Sequence, residues 1–307
     1  MKFNEIVTID LGSNSFRVLK YDYKNHKIIS EFNEVVGMAD GLVETLNISK
    51  DAMIRVINAI NKASQDLNFD PKDAVRVTTA AMRKALNNKE VLSFFEEKTG
   101  AKFSIIDANE EARLTLLAVK YALKREKINS ENFVLLDIGG GSTEIVVNTA
   151  QNYEAKSFDF GIVTMTQKSI KKEDLEKDLN DRKIQIKEFL TSLKIDLKDY
   201  SFVATAGTPT TIAAIKLGQD YFSYDRNIVN GTKVNLNDLE DSLKIFKSHS
   251  KDELTKLVGQ GRVEFMEVGT YIYKMVFEVL QKDESIVLDD GLREGVAINY
   301  CETKCKI

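Results

Sequence analysis

The sequence predicts an α/β protein made of two similar lobes, and three observations support this. The chain has 307 residues, enough for about two domains of roughly 100–200 residues each. Two segments match each other, IVTIDLGSNSFRVLKYDY at 6–23 and FVLLDIGGGSTEIVVNTA at 133–150. Strand-like and helix-like segments alternate in both halves, which is typical of α/β lobes. We therefore predict lobes at 1–124 and 125–307, with a terminal helix free to pack back on the first.

Composition and charge exclude several classes of protein. Charged residues make up 29% of the chain and the net charge is −4, unlike a broad non-specific nucleic-acid binder. The chain contains two cysteines and two histidines, too few for a disulfide framework or a histidine-rich zinc site. Neither a long apolar run nor a signal-peptide core is present. We expect a cytoplasmic protein without a membrane or nucleic-acid partner.

Each matching segment predicts a β-hairpin with an aspartate at the end of its first strand. Adding 127 to a residue number maps Asp10 onto Asp137 and Ser15 onto Ser142. Glycine in the turn allows a positive φ and lets a ligand approach the backbone closely. The duplication can serve folding alone; alternatively, each lobe offers a small-residue loop to a shared cleft.

Further elements follow each hairpin in order. A polar stretch at 124–132 is the best candidate for a linker. In the first half, the pattern predicts strands at 27–36, 74–79 and 103–106 and helices at 51–67, 82–99 and about 108–124. In the second half, it predicts a charged, solvated helix within 171–198, a strand at 202–205 and helices at 210–217, 236–248 and 262–281.

The two hairpin turns predict phosphate binding, because successive backbone N–H groups without bulky side chains form anion-binding concavities. Neither the Walker A pattern nor the Rossmann glycine pattern is present. Asp10 and Asp137 each stand beside a turn, which suits a hydrated Mg²⁺ that bridges ligand oxygens. The candidate phosphate-binding residues of the turns are Gly12, Ser13, Asn14, Ser15, Gly139, Gly140, Gly141, Ser142 and Thr143.

The segment Ala204–Thr211 predicts a strand that runs into a helix. Thr208 is the expected N-cap, with Pro209 at the first helical position. A helix N-terminus binds anions, so Gly207 and Thr208 are candidate phosphate ligands. The alternative is a helix that is simply well capped.

Carboxylates near these turns are candidates for activating water. Asp107 and Glu110 resemble a capping box, which gives Glu110 a structural role. Glu111 has no such role and is a candidate general base in the first helical turn. Glu144 follows the second turn; it is either a further candidate or an outward-facing strand residue. Arg83, at a strand–helix junction, can bind phosphate with its guanidinium or form a surface ion pair.

Two features near the C-terminus are weak signals. Asp290–Gly295 combines a turn with a charged helix start. Cys301 and Cys305 are four residues apart on the expected terminal helix, and we interpret them as incidental rather than as a metal site.

Six segments together resemble the Ppx/GppA phosphatases, which are exopolyphosphatases and guanosine pentaphosphate phosphohydrolases of the actin/hexokinase/Hsp70 superfamily. They are DLGSNSFRVL, TTAAMRKALN, NEEARLTLLAV, LLDIGGGSTEIVV, ATAGTPTTIAAI and DGLREGV, in this order. The resemblance implies two ribonuclease-H-like lobes, each of the kind found in actin-like ATPases, with the site in an interdomain cleft. It implies hydrolysis of a terminal phosphoanhydride in polyphosphate or in pppGpp, the stringent-response nucleotide, with Mg²⁺ and often K⁺. A homodimer is a family-level expectation.

The resemblance also implies roles for single residues. The family's catalytic base falls on Glu111, its second carboxylate on Glu144 and its arginine after the strand on Arg83. The family's loop aspartate and glycines fall on Asp137, Gly139, Gly140 and Gly141.

The sequence departs from the family pattern in two places. Asp107-Ala108 replaces the usual Ser-Gly, and Met38-Ala39-Asp40-Gly41 replaces the usual Leu-Gly-Glu-Gly. Both affect loop flexibility and substrate fit without removing a catalytic carboxylate. We expect a short two-domain member without the helical domains of longer members. A superfamily kinase and a non-catalytic polyphosphate or nucleotide sensor stay open as alternatives.

Overall fold

The computed structural model describes residues 4–129, 131–168 and 172–304 and divides the chain into two compact units. One unit comprises Met1–Ala118 with Gly291–Ile307, and the other comprises Val119–Asp290. The two units therefore divide after Ala118, whereas the sequence predicted a boundary after residue 124. Both positions lie in the helix Ala108–Arg125. Among the described residues, no helix is both long enough and apolar enough to span a membrane.

The first unit contains a five-stranded sheet in the order β3-β2-β1-β4-β5. Strands β1, β2 and β3 form an antiparallel meander, whereas β4 and β5 run parallel to β1. Strand β1 is buried along nearly its whole length, as expected for the centre of a sheet covered on both faces. The strands are β1 (Glu5–Leu11), β2 (Ser15–Asp22), β3 (Lys27–Val35), β4 (Val75–Thr78) and β5 (Ser104–Ile105).

Helices α2, α5 and α13 are the longest in this unit. Its helices are α1 (Leu42–Thr45), α2 (Lys50–Leu67), α3 (Ala80–Lys84), α4 (Asn88–Thr99), α5 (Ala108–Arg125) and α13 (Leu292–Lys304), with a short 3₁₀ turn at Pro71–Asp73. Helix α5 begins in the first unit and ends in the second. Helix α13 packs against β1 and β2, and the hydroxyl of Thr8 donates to the carbonyl oxygen of Arg293 at 3.0 Å.

The single helix predicted at 82–99 is wrong, because the structure forms α3 and α4 with a break between them. Leu86 N donates to Leu46 O at 2.9 Å, and the Asn87 side chain bonds both backbone groups of Ile48. These contacts are distant in sequence. They replace the local hydrogen bonds that a continuous helix would need, so periodicity alone could not show the break.

The second unit contains a six-stranded sheet in the order β10-β11-β9-β6-β7-β8. Without β10, this order repeats that of the first unit, with β6 in the place of β1. The two lobes of similar fold predicted from the matched hairpins are therefore confirmed. The strands are β6 (Phe133–Ile138), β7 (Thr143–Asn148), β8 (Tyr153–Phe158), β9 (Ser201–Thr205), β10 (Thr232–Asn235) and β11 (Glu284–Val287).

Helix α12 lies at the centre of the second core and is buried on most sides. The ring of Phe277 on this helix packs edge-on against Phe202 of β9, with centroids 4.9 Å apart. Helix α7 confirms the charged helix that the sequence predicted within residues 171–198. Lys171, the first residue of that predicted range, lies outside the described residues. The helices are α6 (Ile162–Lys168), α7 (Lys172–Ser192), α8 (Gly207–Lys216), α9 (Arg226–Val229), α10 (Leu236–Ser248), α11 (Lys251–Val258) and α12 (Val263–Leu280).

The terminal segment Asp290–Gly295 is part of the fold. Arg293 is buried, and its guanidinium donates to Glu31 at 2.6 Å and to Asn33 at 2.7 Å on β3. The Glu294 carboxylate accepts from Gly291 N at the start of α13. Cys301 is buried on α13 and forms no disulfide within the described part of the chain, and Cys305 lies outside the described residues.

Replacement of Gly295 by alanine should destabilise the protein. A Cβ at this position would overlap the carbonyl oxygen of Leu114 on α5, and a backbone atom cannot move aside cheaply. We expect a loss of about 3 kcal/mol, the upper end for overpacking, measured by urea denaturation. Gly218→Ala is the control, because its Cβ meets open space and only its positive φ of 72° is strained. Gly295→Ala that is more stable than wild type, as helix propensity alone predicts, would contradict this packing.

Candidate functional site

The two hairpin turns are closed by the same hydrogen bond. Gly12 N donates to Ser15 O at 2.9 Å, and Gly139 N donates to Ser142 O at 3.0 Å. Residues that match between the two segments in sequence, 127 positions apart, therefore form the same hydrogen bond in the structure.

The segment after β3 holds the carbonyl groups of the first turn. Val36 N and Gly37 N donate to Asn14 O at 2.8 and 3.0 Å, and Ala39 N donates to Ser13 O at 2.8 Å. Ser13 and Asn14 are buried, yet their own N–H groups donate to no atom in the described part of the chain. The turn thus presents unused donors, as an anion-binding concavity does.

Helix α6 holds the second turn in the same way. Ile162 N donates to Gly139 O at 3.0 Å, and Val163 N donates to Gly140 O at 2.9 Å. The N–H of Gly140 donates to no described atom. Gly161 precedes the helix, and a Cβ there would stand 2.5 Å from Gly139 O. Gly161 was not among the predicted site residues, although a glycine directly after a strand-like segment signals such a close approach.

The side chains after the second turn are more buried than we expected. The hydroxyl of Thr143 donates to Phe160 O at 2.8 Å, and its assignment as a phosphate donor stays a prediction. Glu144 is only 2% exposed, so the outward-facing alternative is wrong. Its Oε1 accepts from the hydroxyl of Ser157 on β8 at 2.6 Å, a contact that the sequence analysis missed.

A row of polar residues crosses the second sheet at the turn end of its strands. Glu144 stands directly opposite Asp137 on one side and Ser157 on the other, and Asp137 is level with Thr205 on β9. Directly opposite residues share one face of a sheet. Two carboxylates and two hydroxyls therefore lie side by side in a sheet that is otherwise mainly apolar.

Helix α8 begins earlier than predicted. Its first residue is Gly207 and its N-cap is Ala206, so Thr208 as N-cap and Pro209 at the first position are wrong. Ala206 has φ 73° and ψ −172°, and this positive φ turns the chain sharply at the end of β9. Such strain in a residue other than glycine is common at functional sites.

The first turn of α8 keeps features of an anion site. The N–H groups of Gly207 and Thr208 have no acceptor within the helix, as at every helix N-terminus. The hydroxyl of Thr208 is buried and finds no hydrogen-bond partner among the described residues. Arg262 donates to Gly207 O and to the hydroxyl of Thr211, both at 2.8 Å, and so places a cation beside this turn.

Glu111 and Arg83 form an ion pair in the first unit. The guanidinium Nη1 of Arg83 donates to Glu111 Oε2 at 2.7 Å and to Ile106 O at 3.0 Å. The side chain of Glu111 is 12% exposed and that of Arg83 is 22% exposed. The expectation that Glu111 lacks a structural contact is wrong. Arg83 forms an ion pair, one of the two alternatives that we gave for it, and its assignment to phosphate stays a prediction. Strands β4 and β5, which pair in parallel, precede α3 and α5, the helices that carry Arg83 and Glu111.

Glu110 has a structural role, as we expected, but its side chain binds Arg113 and does not complete a capping box. Asp107 Oδ1 accepts from Glu110 N at 2.8 Å, as in a capped helix. The carboxylate of Glu110 binds Arg113 with two hydrogen bonds of 2.7 and 2.8 Å, and Arg113 also donates to Asn299. The two neighbouring glutamates of α5 therefore have different partners.

A magnesium ion fits the donor set of each turn taken by itself. Among the described residues, no group of three or more His, Cys, Asp and Glu side chains is arranged to hold a metal. Mg²⁺ in phosphate-transfer sites commonly uses only one or two carboxylates, and water and substrate oxygens complete its shell. Asp10 and Asp137, each one strand residue before a turn with unused N–H groups, match that pattern.

Comparisons with known proteins agree with one another. The model of the Ppx/GppA phosphatase family matches residues 18–303. A curated protein of Fusobacterium nucleatum, a bifunctional 3-dehydroquinate synthase/phosphatase, is 24% identical over 313 residues. The match covers 97% of this chain and 46% of that protein, so the chain spans about half the length of this relative.

Solved structures show the same fold. The Ppx/GppA family member of Aquifex aeolicus is 26% identical with a TM-score of 0.72, and the match covers 98% of both chains. An exopolyphosphatase from Cytophaga hutchinsonii is 18% identical with a TM-score of 0.83, covering 97% of this chain and 98% of that one. At 18% identity the second likeness shows the fold alone.

Replacement of Gly161 by alanine should loosen the second turn. The new Cβ would push α6 away from Gly139 and Gly140, and overpacking typically costs about 1–3 kcal/mol. Amide hydrogen exchange of Ile162 and Val163 should therefore speed up about 5- to 150-fold. Gly12→Ala is the matched control, because its Cβ meets only Ser15 O at an ordinary 3.5 Å. Equal exchange in both variants would contradict the proposed close approach.

Proposed function

The chain belongs to the Ppx/GppA phosphatase family, and on that premise we propose that it releases terminal phosphate from inorganic polyphosphate, pppGpp or both. Water is the acceptor and Mg²⁺ the cofactor, often with K⁺ as a stimulating ion. The activity and substrates of the longer relative belong to that protein, and the proposal for this chain is argued from its own residues.

The Arg83–Glu111 pair carries the proposal. A general base must be held within hydrogen-bond reach of the water from which it takes a proton. Arg83 restrains the carboxylate of Glu111 at 2.7 Å, and little solvent reaches either side chain. The neighbouring Glu110 is half-exposed and fully engaged with Arg113, so it is the poorer candidate.

We assign phosphate binding to the two hairpin turns and to the first turn of α8. The unused N–H groups of Ser13, Asn14 and Gly140 would donate to phosphate oxygens, as would the first N–H groups of α8. The hydroxyls of Ser13, Ser15 and Ser142 would add side-chain donors. Backbone donors fixed in place before the reaction stabilise charge without reorganisation, which makes them effective in transition states.

Asp10 and Asp137 are the residues that would hold Mg²⁺. When bound, the ion neutralises charge on the phosphate oxygens of the substrate. Each carboxylate stands at the end of a buried strand, so its position is fixed by the sheet and not by a mobile loop.

Hydrolysis would proceed by in-line attack on the terminal phosphorus. Glu111 accepts a proton from water, the water oxygen forms the new P–O bond, and the anhydride P–O bond to the next phosphate breaks. The products are inorganic phosphate and a substrate shortened by one phosphate. We assign Glu144 as the second catalytic carboxylate, oriented by the hydroxyl of Ser157.

Polyphosphate and pppGpp present the same terminal anhydride, so the groups that contact the rest of the substrate must discriminate between them. One candidate region is the segment Met38-Ala39-Asp40, which departs from the family pattern. Arg55 holds it through hydrogen bonds to Val36 O at 2.6 Å and to Asp40 Oδ2 at 2.7 Å. Because this segment also supports the first turn, a change here affects substrate fit through the turn.

The substitution Glu111→Gln should lower phosphate release by about 10²- to 10⁴-fold, the usual contribution of a positioned base. Release is measured with Mg²⁺ and K⁺ on long-chain polyphosphate and on pppGpp in parallel. Glu110→Gln is the matched control, since it changes the adjacent carboxylate of the same helix and should retain most of the activity.

This assay distinguishes a phosphatase with Glu111 as its base from a sensor and from a kinase. Near-wild-type turnover in Glu111→Gln would remove Glu111 as the base. Binding of both compounds by the wild type without release would replace the phosphatase proposal by a sensor. Stoichiometric ADP together with a phosphorylated acceptor would replace it by a kinase.

A further inference from the structure

We propose a second anion-binding site in a pocket of the second unit, which takes a small phosphate-bearing molecule such as a nucleotide or a short polyphosphate. The pocket has a volume of about 580 Å³, within the usual range for small-molecule sites. It is formed by the end of α5, the chain that follows it, and the adjoining ends of β6 and β7.

Three lysines give the pocket its positive charge. Lys120 and Lys124 lie four residues apart on one face of α5, and Lys127 follows the end of the helix. None of the three forms an ion pair or side-chain hydrogen bond in the part of the chain that the structure describes. The one carboxylate among the described residues lining the pocket is that of Glu131. An anion would neutralise charges that otherwise repel one another.

The backbone at Lys127 adds a further observation. The residue has φ 56°, and its N–H donates to Lys124 O at 3.2 Å while Ile128 N donates to Leu123 O at 2.9 Å. This is the Schellman end of a helix, where glycine is the usual residue at the left-handed position. The turn itself therefore does not require a lysine, and glycine would form it more easily.

The floor of the pocket consists of buried apolar and amide side chains. Phe133 and Leu123 supply buried apolar surface. Asn148 is 2% exposed; its amide nitrogen donates to Glu131 O at 2.8 Å. Its Oδ1 atom is buried and has no hydrogen-bond partner among the described residues. Partial desolvation lowers the pKa of Lys120 although the residue is exposed, and an adjacent anion would offset this shift.

The pocket is distinct from the candidate active site. Phe133, at its floor, begins β6, and Ile138 ends β6 beside the glycine turn. Five steps of extended strand separate these residues by about 16 Å. A ligand in the pocket therefore cannot be the phosphate group that the turn at Gly139 binds.

Lysine acetylation followed by mass spectrometry tests the proposal on the whole chain. The protein is labelled with a limiting amount of acetylating reagent, with and without sodium tripolyphosphate or GDP. At ten times the dissociation constant about nine tenths of the pockets are filled, so labelling of Lys120, Lys124 and Lys127 should slow about tenfold. Lys50 and Lys89 serve as internal references, because both are exposed and lie in the first unit. Protection by both compounds would show recognition of phosphate, whereas protection by GDP alone would assign the site to a nucleotide.

Variants separate this site from catalysis. Protection of the pocket lysines should persist in Glu111→Gln. Protection of the remaining Lys120 should disappear in the double variant Lys124→Glu/Lys127→Glu. Protection of all three pocket lysines should persist in the matched charge reversal Lys50→Glu/Lys89→Glu. The protection should also weaken as salt rises, because the lysines are exposed. Unchanged labelling at millimolar concentrations of both compounds would overturn the proposal, whatever the phosphatase assay shows.

Discussion

The hydrogen bonds that restrain the turn carbonyls are the interaction on which the rest of the candidate site depends. A β-turn between two strands normally leaves its polar groups to water. Here the segment after the third strand of each sheet returns to the turn and donates to its carbonyl oxygens, at Ser13 and Asn14 in one unit and at Gly139 and Gly140 in the other. The carbonyl dipoles are thereby used inside the protein, and the N–H groups stay available. The backbone of each turn is thus left with N–H groups that donate to no atom of the described residues.

This constraint explains the choice of residues around each turn. Small residues are needed where two backbones approach, which accounts for Gly139 and for Gly161 opposite it. Glu144 is buried on β7, so burial desolvates its carboxylate and favours the hydrogen bond that it accepts from the hydroxyl of Ser157. Glu111 follows the same rule with Arg83. In both cases the carboxylate accepts a hydrogen bond from a side chain of another element.

Local signals in the sequence predicted the hairpins, the aspartates and most long helices, because strand alternation, turn composition and helical periodicity depend on neighbouring residues. The contacts that complete the site join residues far apart in the chain. The Ser157–Glu144 and Arg83–Glu111 contacts are examples, and periodicity carries no information about either. The start of α8 was misplaced for a related reason. Ala206 adopts a positive φ that its residue type does not suggest, and only the tertiary environment enforces it.

The residues opposite the two aspartates differ in charge although the turns share a common plan. Arg17 faces Asp10, whereas Glu144 faces Asp137 at the equivalent position. In one unit the aspartate therefore lies across from a cationic residue, and in the other it lies across from a second carboxylate. Each turn thus has a different charge beside it, and exchanging the turns between the units would exchange these surroundings.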